Sequence, residues 1–594
     1  MSARKSTVGG LLLLAMVVTG PAAASSGDTT VPAEILPVPT KGLGSLSGYY
    51  LAARHANLRK DLSAAAGFFH SALIADPDNL ELLENAVLLN VASGNIRRAA
   101  ELSTDLLERN PTDQVALMTL AVAAIRAGKA EEAFAYVERL GDLGGQLQEL
   151  VSLLMDVWTM VLDGHAAQAI AKLEEVKGPA WFNTFTNLHA GLIADHARLF
   201  EVAEDRLRLA VERDPTAIRV VDAYARSLAR AGKEDRALTV LDTFEERLGG
   251  NQHFTEALRA EIEGDGPVAP QISYPREGVA EALHGIGTAI SRDGGDTFGA
   301  SMLQFSLYLA PDGYYPAMAL GNVFEAMRQY QAAIDVYRAI PGNNALKRNA
   351  RVQEALNLNI LERHDEAIAI LVDLVREDPR DVGTAIALGN VYRSRERFAE
   401  AAEIYTAAID ALGEVPQPFW TLYYYRGIAH ERTGRWTAAE KDFRKALEMQ
   451  PEQPLVLNYL GYSYIDRGEN LDEALGMVRR AVKQRPEDGY IVDSLGWAYY
   501  RLGRYNDAVR ELEKAVHLRP ADPVINDHLG DAYWMVGRKL EAMFQWSHAR
   551  DSEPEPDALE IILHKLENGL PESGVPPRIR AAASDTGTET DAAQ

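Results

Sequence analysis

Small and apolar residues recur along this chain with a period of about 34 residues, most clearly between residues 420 and 556. Four successive segments there share a leading Gly, an aromatic or His three residues later, a second Gly, two Ala seven residues apart and a closing Pro. The leading glycines Gly427, Gly461, Gly496 and Gly530 are separated by 34, 35 and 34 residues. This pattern predicts two helices per segment, joined at the second Gly and ended by the Pro.

A fixed period of 34 with this alternation of small and large residues resembles the tetratricopeptide repeat, a helix–turn–helix unit that stacks into a solenoid. The small residues let the two helices of a unit approach closely, and a large residue such as Phe443 or Trp546 fills the space between stacked units. One unit cannot bury its own apolar face, so neighbours must stack. We therefore predict an all-α, tetratricopeptide-repeat superhelical solenoid of about 14 units in two arrays.

The same register divides the rest of the chain. Residues 46–251 are predicted to form an N-terminal array of six units, and residues 280–556 a C-terminal array of eight. Residues 252–279 are interpreted as a capping helix and a linker rich in Gly and Pro, which makes them the candidate hinge between the arrays. Residues 557–569 predict a closing amphipathic helix, and residues 570–594 have the composition of a disordered tail.

The amino-terminal segment has the features of an export signal. Residues 1–24 combine a basic start, an apolar run of about 12 residues and three alanines before Ser25. Cleavage there would leave residues 25–45 as a flexible leader and place the protein in the periplasm. The alternative is an uncleaved signal anchored in the inner membrane, although the run is shorter than the roughly 20 residues of a spanning helix.

Composition narrows the possible partners. The chain has no Cys, so a disulfide framework, a thiolate metal site and a bacterial lipid anchor are not expected, and membrane association would be peripheral at most. The formal net charge of −25 repels nucleic-acid phosphate, so nucleic acid is not an expected partner.

Known catalytic motifs are absent from the sequence. It has no phosphate-binding loop, no His-Glu-x-x-His zinc motif and no Gly-x-Ser-x-Gly elbow. We therefore predict no catalytic, cofactor or metal site. Two groups remain as alternatives in which histidines could bind a metal instead of packing as ordinary residues: His189 with Asp195 and His196, and His528 with Asp527 and Asp531.

In tetratricopeptide families the first helix of each unit lines the concave face, and set positions of that helix point inwards. Carried over to residues 420–556, with two tyrosines at the rim, these positions predict a binding groove: Tyr424, Tyr425, Asn458, Tyr459, Tyr462, Asp493, Trp497, Tyr500, Asp527, Asp531 and Trp534. Aromatic rings interleaved with Asn and Asp suit an extended peptide, because the polar groups can pair with backbone amides or a basic side chain. The alternative is that Tyr424, Tyr462, Trp497 and Trp534 pack between helices as core.

Four stretches resemble a family of proteobacterial envelope repeat proteins: residues 281–287, 458–468, 493–500 and 528–534. One branch of that family consists of outer-membrane lipoproteins that act as adaptors for a carboxyl-terminal processing protease and bring it cell-wall hydrolase substrates. The resemblance implies protein or peptide partners, an envelope protease or hydrolase among them.

The predicted function is a non-catalytic periplasmic scaffold or adaptor that binds proteins or extended peptides in its concave groove. Its expected role is cell-envelope maintenance, protein assembly or proteolysis. The alternatives are a component of a polysaccharide or protein export machine and a metal-dependent enzyme.

Overall fold

The computed structural model describes residues 44–176, 179, 181–248, 253–342 and 346–570. The regular structure of these residues is α-helical, with one short 3-10 helix and no strand, and this confirms the predicted all-α repeat solenoid. The predicted signal peptide, most of the leader and residues 571–594 lie outside the described residues.

The described residues divide into two compact units, with the boundary between Asp378 and Pro379. The helices of the first unit are α1 (Leu46–Leu58), α2 (Leu62–Ala75), α3 (Leu80–Ala92), α4 (Ile96–Arg109), α5 (Gln114–Arg126), α6 (Ala130–Gly141), α7 (Gln146–Leu162), α8 (Ala166–Glu175), α9 (Phe182–His196), α10 (Phe200–Arg213), α11 (Ile218–Arg230), α12 (Glu234–Leu248), α13 (His253–Glu263), α14 (Pro275–Arg292), α15 (Asp296–Leu309), α16 (Tyr314–Ala326), α17 (Tyr330–Ala339), α18 (Lys347–Ile360) and α19 (His364–Glu377).

The second unit follows the same alternation of helices. Its helices are α20 (Val382–Ser394), α21 (Phe398–Leu412), α22 (Thr421–Arg432), α23 (Trp436–Met449), α24 (Pro454–Arg467), α25 (Leu471–Gln484), α26 (Gly489–Arg501), α27 (Tyr505–Leu518), α28 (Pro523–Met535), α29 (Lys539–Asp551) and α30 (Pro556–Asn568). The 3-10 helix, Gln417–Phe419, precedes α22.

Consecutive helices pack in pairs, and each pair is one repeat: α1 with α2, α22 with α23, α28 with α29, and so on. Within the described residues there are fourteen such pairs, which fall on the units expected from the sequence to within a few residues. The two remaining helices, α13 and α30, occupy the positions where capping helices are predicted.

The close packing inside a pair comes from the leading glycine of its first helix. A Cβ atom on Gly427 would lie 2.7 Å from the Phe443 ring, and one on Gly530 would lie 2.5 Å from the Trp546 ring. The large residue of the second helix therefore rests on the glycine of its own unit, and Phe443 also reaches Tyr459 of the next unit, 5.2 Å between ring centroids. The turn between the two helices uses a left-handed residue, such as Gly434 with φ 73°.

The Pro- and Gly-rich linker does not separate the two compact units. It lies inside the first unit, and the helix that follows it, α14, packs against α7 and α9, while α15 packs against α3 and α5. The tightest point is Gly278 of α14, where a Cβ atom would come within 2.1 Å of the Trp158 ring of α7. The sequence predicted a hinge at this linker, and the structure instead joins the helices on either side of it through buried contacts.

Candidate functional site: the concave face of the second unit

The concave side of each unit is formed by the first helices of its repeats. Within the described residues, first helices of neighbouring repeats contact each other, as α24 does with α26 and α26 with α28, and second helices have no comparable contact with one another. The first-helix side is therefore the more tightly curved side. We call it the concave face of each unit.

In the first unit this face is covered by the chain itself. Helices α3, α5, α7 and α9 are first helices, and all four contact α14 or α15. The Arg126 guanidinium of α5 donates a hydrogen bond to the carbonyl of Leu309 of α15, 2.9 Å away. On the adjoining helices, Tyr315 of α16 donates to Asp222 of α11 over 3.1 Å. A peptide that entered this face would first have to displace these helices.

A buried polar network stabilises that arrangement. Arg219 of α11 pairs with Glu281 of α14, and Glu281 is also close to His284. Burial alone would raise the pKa of Glu281, but the positive charge of Arg219, assisted by His284 and His189, lowers it to about 2. The carboxylate is therefore ionised, and its ion pair with Arg219 joins α14 to α11.

The histidines proposed as an alternative metal site have other partners. Trp158 Nε1 donates a hydrogen bond to His189 Nδ1 over 3.0 Å, and burial lowers the pKa of His189 to about 4. His196 Nδ1 lies 3.3 Å from the carbonyl of Ile272, and Asp195 pairs with Arg230. Among the described residues, no three His, Cys, Asp or Glu side chains are grouped so that they could hold a metal ion.

In the second unit, the aromatic residues at the α22 end of the predicted groove pack mainly against one another. Tyr424 and Tyr425 are buried. The Tyr424 ring lies 6.2 Å from Phe443 and 6.1 Å from Tyr459, and Arg393 covers the Tyr425 ring at 4.9 Å. Both rings fill the seam between repeats. This is the core alternative stated for Tyr424, and it differs from the rim position expected for Tyr425.

Helix α24 carries three of the predicted groove residues. Asn458, Tyr459 and Tyr462 are each partly exposed. The Tyr459 hydroxyl donates to Glu431 of the preceding repeat over 3.2 Å, whereas the Oδ1 atom of Asn458 is buried without a hydrogen-bond partner. An unpaired buried acceptor is costly, so Asn458 is a candidate ligand contact.

Helix α26 carries an aromatic stack on the concave face. The Trp497 ring lies between His528 and Tyr500, with centroid separations of 4.0 Å and 4.7 Å and nearly parallel planes. His528 is fixed in turn by Asp493, 2.9 Å from its Nδ1 atom. Burial lowers the pKa of His528, but the Asp493 carboxylate outweighs this effect and the net pKa is raised, with Asp527 and Asp531 acting in the same direction.

Trp497 and Tyr500 are both buried, so they too belong largely to the packing between repeats. The indole Nε1 of Trp497, however, is buried with no hydrogen-bond partner. Both faces of the ring are covered by His528 and Tyr500, so the polar edge that carries Nε1 is the part of the ring without a partner.

The last three predicted groove residues lie under the capping helix. Lys565 of α30 donates hydrogen bonds to Asp527 and Asp531 over 2.7–2.9 Å and is 1 % exposed. Trp534 Nε1 donates to the carbonyl of Leu570, 3.1 Å away. The polar atoms of Asp527, Asp531 and Trp534, which were predicted to contact a ligand, are therefore hydrogen-bonded to the chain itself. Helix α30 closes the concave face of the final repeat.

Lys565 was not among the residues predicted for the site, although a Lys on the apolar face of a predicted capping helix, with two Asp on the first helix of the last repeat, was a usable signal. Asp466, which lies on α24 beside the predicted residues and is exposed, was not predicted either. In the part of the chain that the structure describes, no helix is both long and apolar enough to cross a membrane.

Two family profiles match this chain. The first, described as tetratricopeptide repeat, matches residues 85–145, 350–417, 386–454 and 424–489. The second, described as TPR repeat, matches residues 496–537. These segments coincide with helix pairs of both compact units. These segments of the chain are tetratricopeptide repeats.

Similarity to individual tetratricopeptide-repeat proteins is limited in extent. A Pseudomonas aeruginosa protein described as TPR repeat-containing is 30 % identical over 194 residues, which is 32 % of this chain and 32 % of that protein. The match thus spans about a third of the length of the relative.

Sequence identity to solved structures is also low. A chain of the APC/C hetero-tetramer Cut9–Hcn1 is 13 % identical with a TM-score of 0.37, over 89 % of this chain and 97 % of that one. Yeast Tom70 is 16 % identical with a TM-score of 0.31, over 88 % and 95 %. These values carry no information about what the present chain binds.

Proposed function

We propose that this tetratricopeptide-repeat protein is a non-catalytic scaffold or adaptor that binds an extended segment of a partner protein on the concave face of its second unit. The observation that carries the proposal is the pair of buried, unpaired polar atoms on that face, Asn458 Oδ1 and Trp497 Nε1. An extended peptide offers both an N–H and a C=O at every residue, so a single bound strand can satisfy both atoms.

The choice of the second unit rests on a contrast with the first. The concave face of the first unit is covered by α14 and α15, which belong to the same chain. Among the described residues of the second unit, the final repeat is the one covered in a comparable way, by α30 through Lys565. The repeats between α20 and α26 are therefore the best-supported place for a partner segment.

We further propose that the protein works in the periplasm, in envelope maintenance, assembly or proteolysis. The export signal in residues 1–24 and the resemblance to envelope repeat proteins support this location. N-terminal sequencing of the protein from fractionated cells tests it. Periplasmic protein beginning at Ser25 is the expected result, and cytoplasmic protein that retains Met1 would refute the location.

Site-specific photocrosslinking in cells tests the binding face. A photoreactive amino acid at Tyr462, on the concave face, is expected to capture a discrete partner. The matched control carries the same group at Phe544, which lies on the second helix α29 and is 61 % exposed. If both positions capture the same proteins with equal yield, or only Phe544 captures a partner, the assignment of the concave face is wrong.

A further inference from the structure

Carboxylates gather around the hydroxyl of Tyr462 on the concave face of the second unit. Asp493 of α26, Asp466 of α24 and Glu431 of α22 come from three consecutive repeats and are all close enough to influence it. Burial raises the pKa of the Tyr462 hydroxyl above its ordinary value, and Asp493 and Asp466 raise this pKa further. Arg501 opposes them, and Glu431 makes the smallest contribution in the raising direction.

These carboxylates are only partly neutralised. Asp493 pairs with His528, and Asp466 lies 3.8 Å from Arg501 with its own side chain 65 % exposed. Glu431 accepts a hydrogen bond from the neutral hydroxyl of Tyr459 and has no cationic partner among the ion pairs of the described residues. Of these three carboxylates, Asp493 faces an imidazole, Asp466 is 3.8 Å from one guanidinium, and Glu431 has a neutral hydroxyl as its partner. The resulting excess of negative charge favours a positively charged ligand.

A second, independent observation indicates a ligand on the same helices, α24 and α26. Trp497 is 7 % exposed and its Nε1 atom has no hydrogen-bond partner. The ring lies on α26 one helical turn after Asp493, and Asn458, whose Oδ1 atom is also buried and unpaired, lies one turn before Tyr462. Leaving a buried donor and a buried acceptor unpaired is unfavourable, and a peptide backbone supplies the partner that each of them lacks.

The final repeat contains an internal example of this recognition. Asp527 and Asp531 of α28 occupy the repeat positions that Asp493 and Trp497 occupy on α26, 34 residues earlier. Their occupant is the Lys565 ammonium, held at 2.7 Å and 2.8 Å by the two carboxylates. A Lys side chain that approaches the first-helix face is therefore compatible with the geometry of this unit.

We propose that the concave face of the second unit binds an extended peptide through a Lys or Arg side chain, with Glu431 and Asp466 holding the cation beside Tyr462. The adjoining peptide groups pair with Trp497 Nε1 and Asn458 Oδ1. This inference rests on the proposed function and adds the class of ligand. It assigns to the face a preference for basic segments over neutral or acidic segments of the same shape.

Fluorescence anisotropy with the full chain tests the preference. The probes are three labelled nonapeptides with the same Gly- and Ser-containing ends and two flanking Tyr, and with Lys, norleucine or Glu at the centre. The Lys peptide is expected to bind about tenfold tighter than the norleucine peptide, since hydrogen bonds to charged groups are worth more than neutral ones. The Glu peptide is expected to bind most weakly.

Three variants connect this preference to the named residues. Glu431→Gln and Asp466→Asn are each expected to reduce the preference for Lys to about threefold or less, because each removes one charge from the subsite. Glu448→Gln is the matched control: Glu448 is an exposed carboxylate on the second helix α23, paired only with Lys445. The control is expected to leave the preference unchanged.

A fourth variant, Trp497→Phe, separates the two parts of the inference. It removes the N–H group while keeping an aromatic ring between His528 and Tyr500. Both the Lys and the norleucine peptides are expected to bind about three- to tenfold more weakly, with their ratio unchanged.

The outcomes distinguish this inference from the proposed function. Equal binding of the Lys and norleucine peptides, or tighter binding of the Glu peptide, would overturn the basic-ligand inference and leave peptide binding intact. A Lys preference that survives both Glu431→Gln and Asp466→Asn would overturn the assigned subsite. If none of the three peptides binds, the proposed peptide-binding function fails as well.

Discussion

Replacing Lys565 with Met is the perturbation whose effect the structure defines most sharply. The Lys565 Nζ atom lies 2.7 Å from Asp527 and 2.8 Å from Asp531, and only 1 % of its side chain is exposed. Met keeps most of the volume and the apolar contacts of the stem but removes the ammonium group. The two carboxylates then face each other under α30 without a counter-charge.

Removing one partner of a buried ion pair costs about 3–5 kcal/mol, because the remaining charge stays buried and unpaired. Asp531 is fully buried, so we place Lys565→Met in this range. The loss of stability is local: it weakens the packing of α30 and destabilises α28, the helix that α30 covers. A surface Lys gives the control: Lys445, paired with the exposed Glu448, should cost about 0–1 kcal/mol when changed to Met.

Native-state hydrogen exchange of the full chain measures this local effect. At pH 7, Lys565→Met is expected to lower the protection of α30 amides by about two orders of magnitude or to abolish it. The first unit provides an internal reference whose protection should not change. Unchanged protection of α30 would refute the view that this ion pair holds the cap in place.

The pH dependence gives a second check with a defined sign. Burial raises the pKa of Asp531 above its ordinary value even with Lys565 present, and removing the opposing charge raises this pKa further. The folded state then binds a proton more tightly than the unfolded state, so its stability increases as the pH falls through the raised pKa. The defect of the variant should therefore shrink between pH 7 and pH 5, and a defect that grows on acidification would contradict the argument.

Further predictions concern the repeat glycines and the buried network of the first unit. Gly530→Ala should destabilise the second unit by about 1–3 kcal/mol in urea unfolding, because the added Cβ would lie 2.5 Å from Trp546. Gly476→Ala, at an exposed helical position with no neighbour within 4 Å, should stabilise it by about 0.4–1 kcal/mol; equal effects would refute the packing argument. Glu281, with its pKa lowered to about 2, contributes stability above pH 4.5 that is lost as the pH falls toward 2. Glu281→Gln should remove that part of the pH dependence and lower the protection of α14 at pH 7 by leaving Arg219 unpaired, as hydrogen exchange would report.

The sequence was sufficient to predict the helices because the information that specifies them is local. A leading glycine such as Gly427 and a large residue sixteen positions later determine how closely the two helices of a repeat approach each other. The same kind of pair recurs in neighbouring repeats. The same logic predicts capping helices at α13 and α30, since an end of a stack of repeats must be covered.

Contacts between distant repeats could not be predicted in the same way. The packing of Gly278 on Trp158 joins residues 120 positions apart, and nothing in a 34-residue period specifies which repeats meet after the chain passes a linker. For the same reason the sequence predicted a hinge where the structure has buried ion pairs. For the candidate site, the sequence could predict which helices carry the residues but not which atoms each of them meets.

The aromatic residues of the predicted groove illustrate that limit. The repeat register places Tyr424, Trp497 and Trp534 on first helices, and the structure agrees. Whether each ring meets solvent or a neighbour depends on residues outside its own repeat, such as Tyr459 for Tyr424 and Leu570 for Trp534. Those partners become known only when the stacking is known.

Hydrogen exchange of the full chain with and without the Lys-centred peptide tests the central claim most directly. We predict that bound peptide increases the protection of the first helices α22, α24 and α26 and leaves α3, α5 and α7 of the first unit unchanged. Increased protection confined to the first unit, or to the second helices α23, α25 and α27, would contradict the claim that the concave face of the second unit binds the ligand.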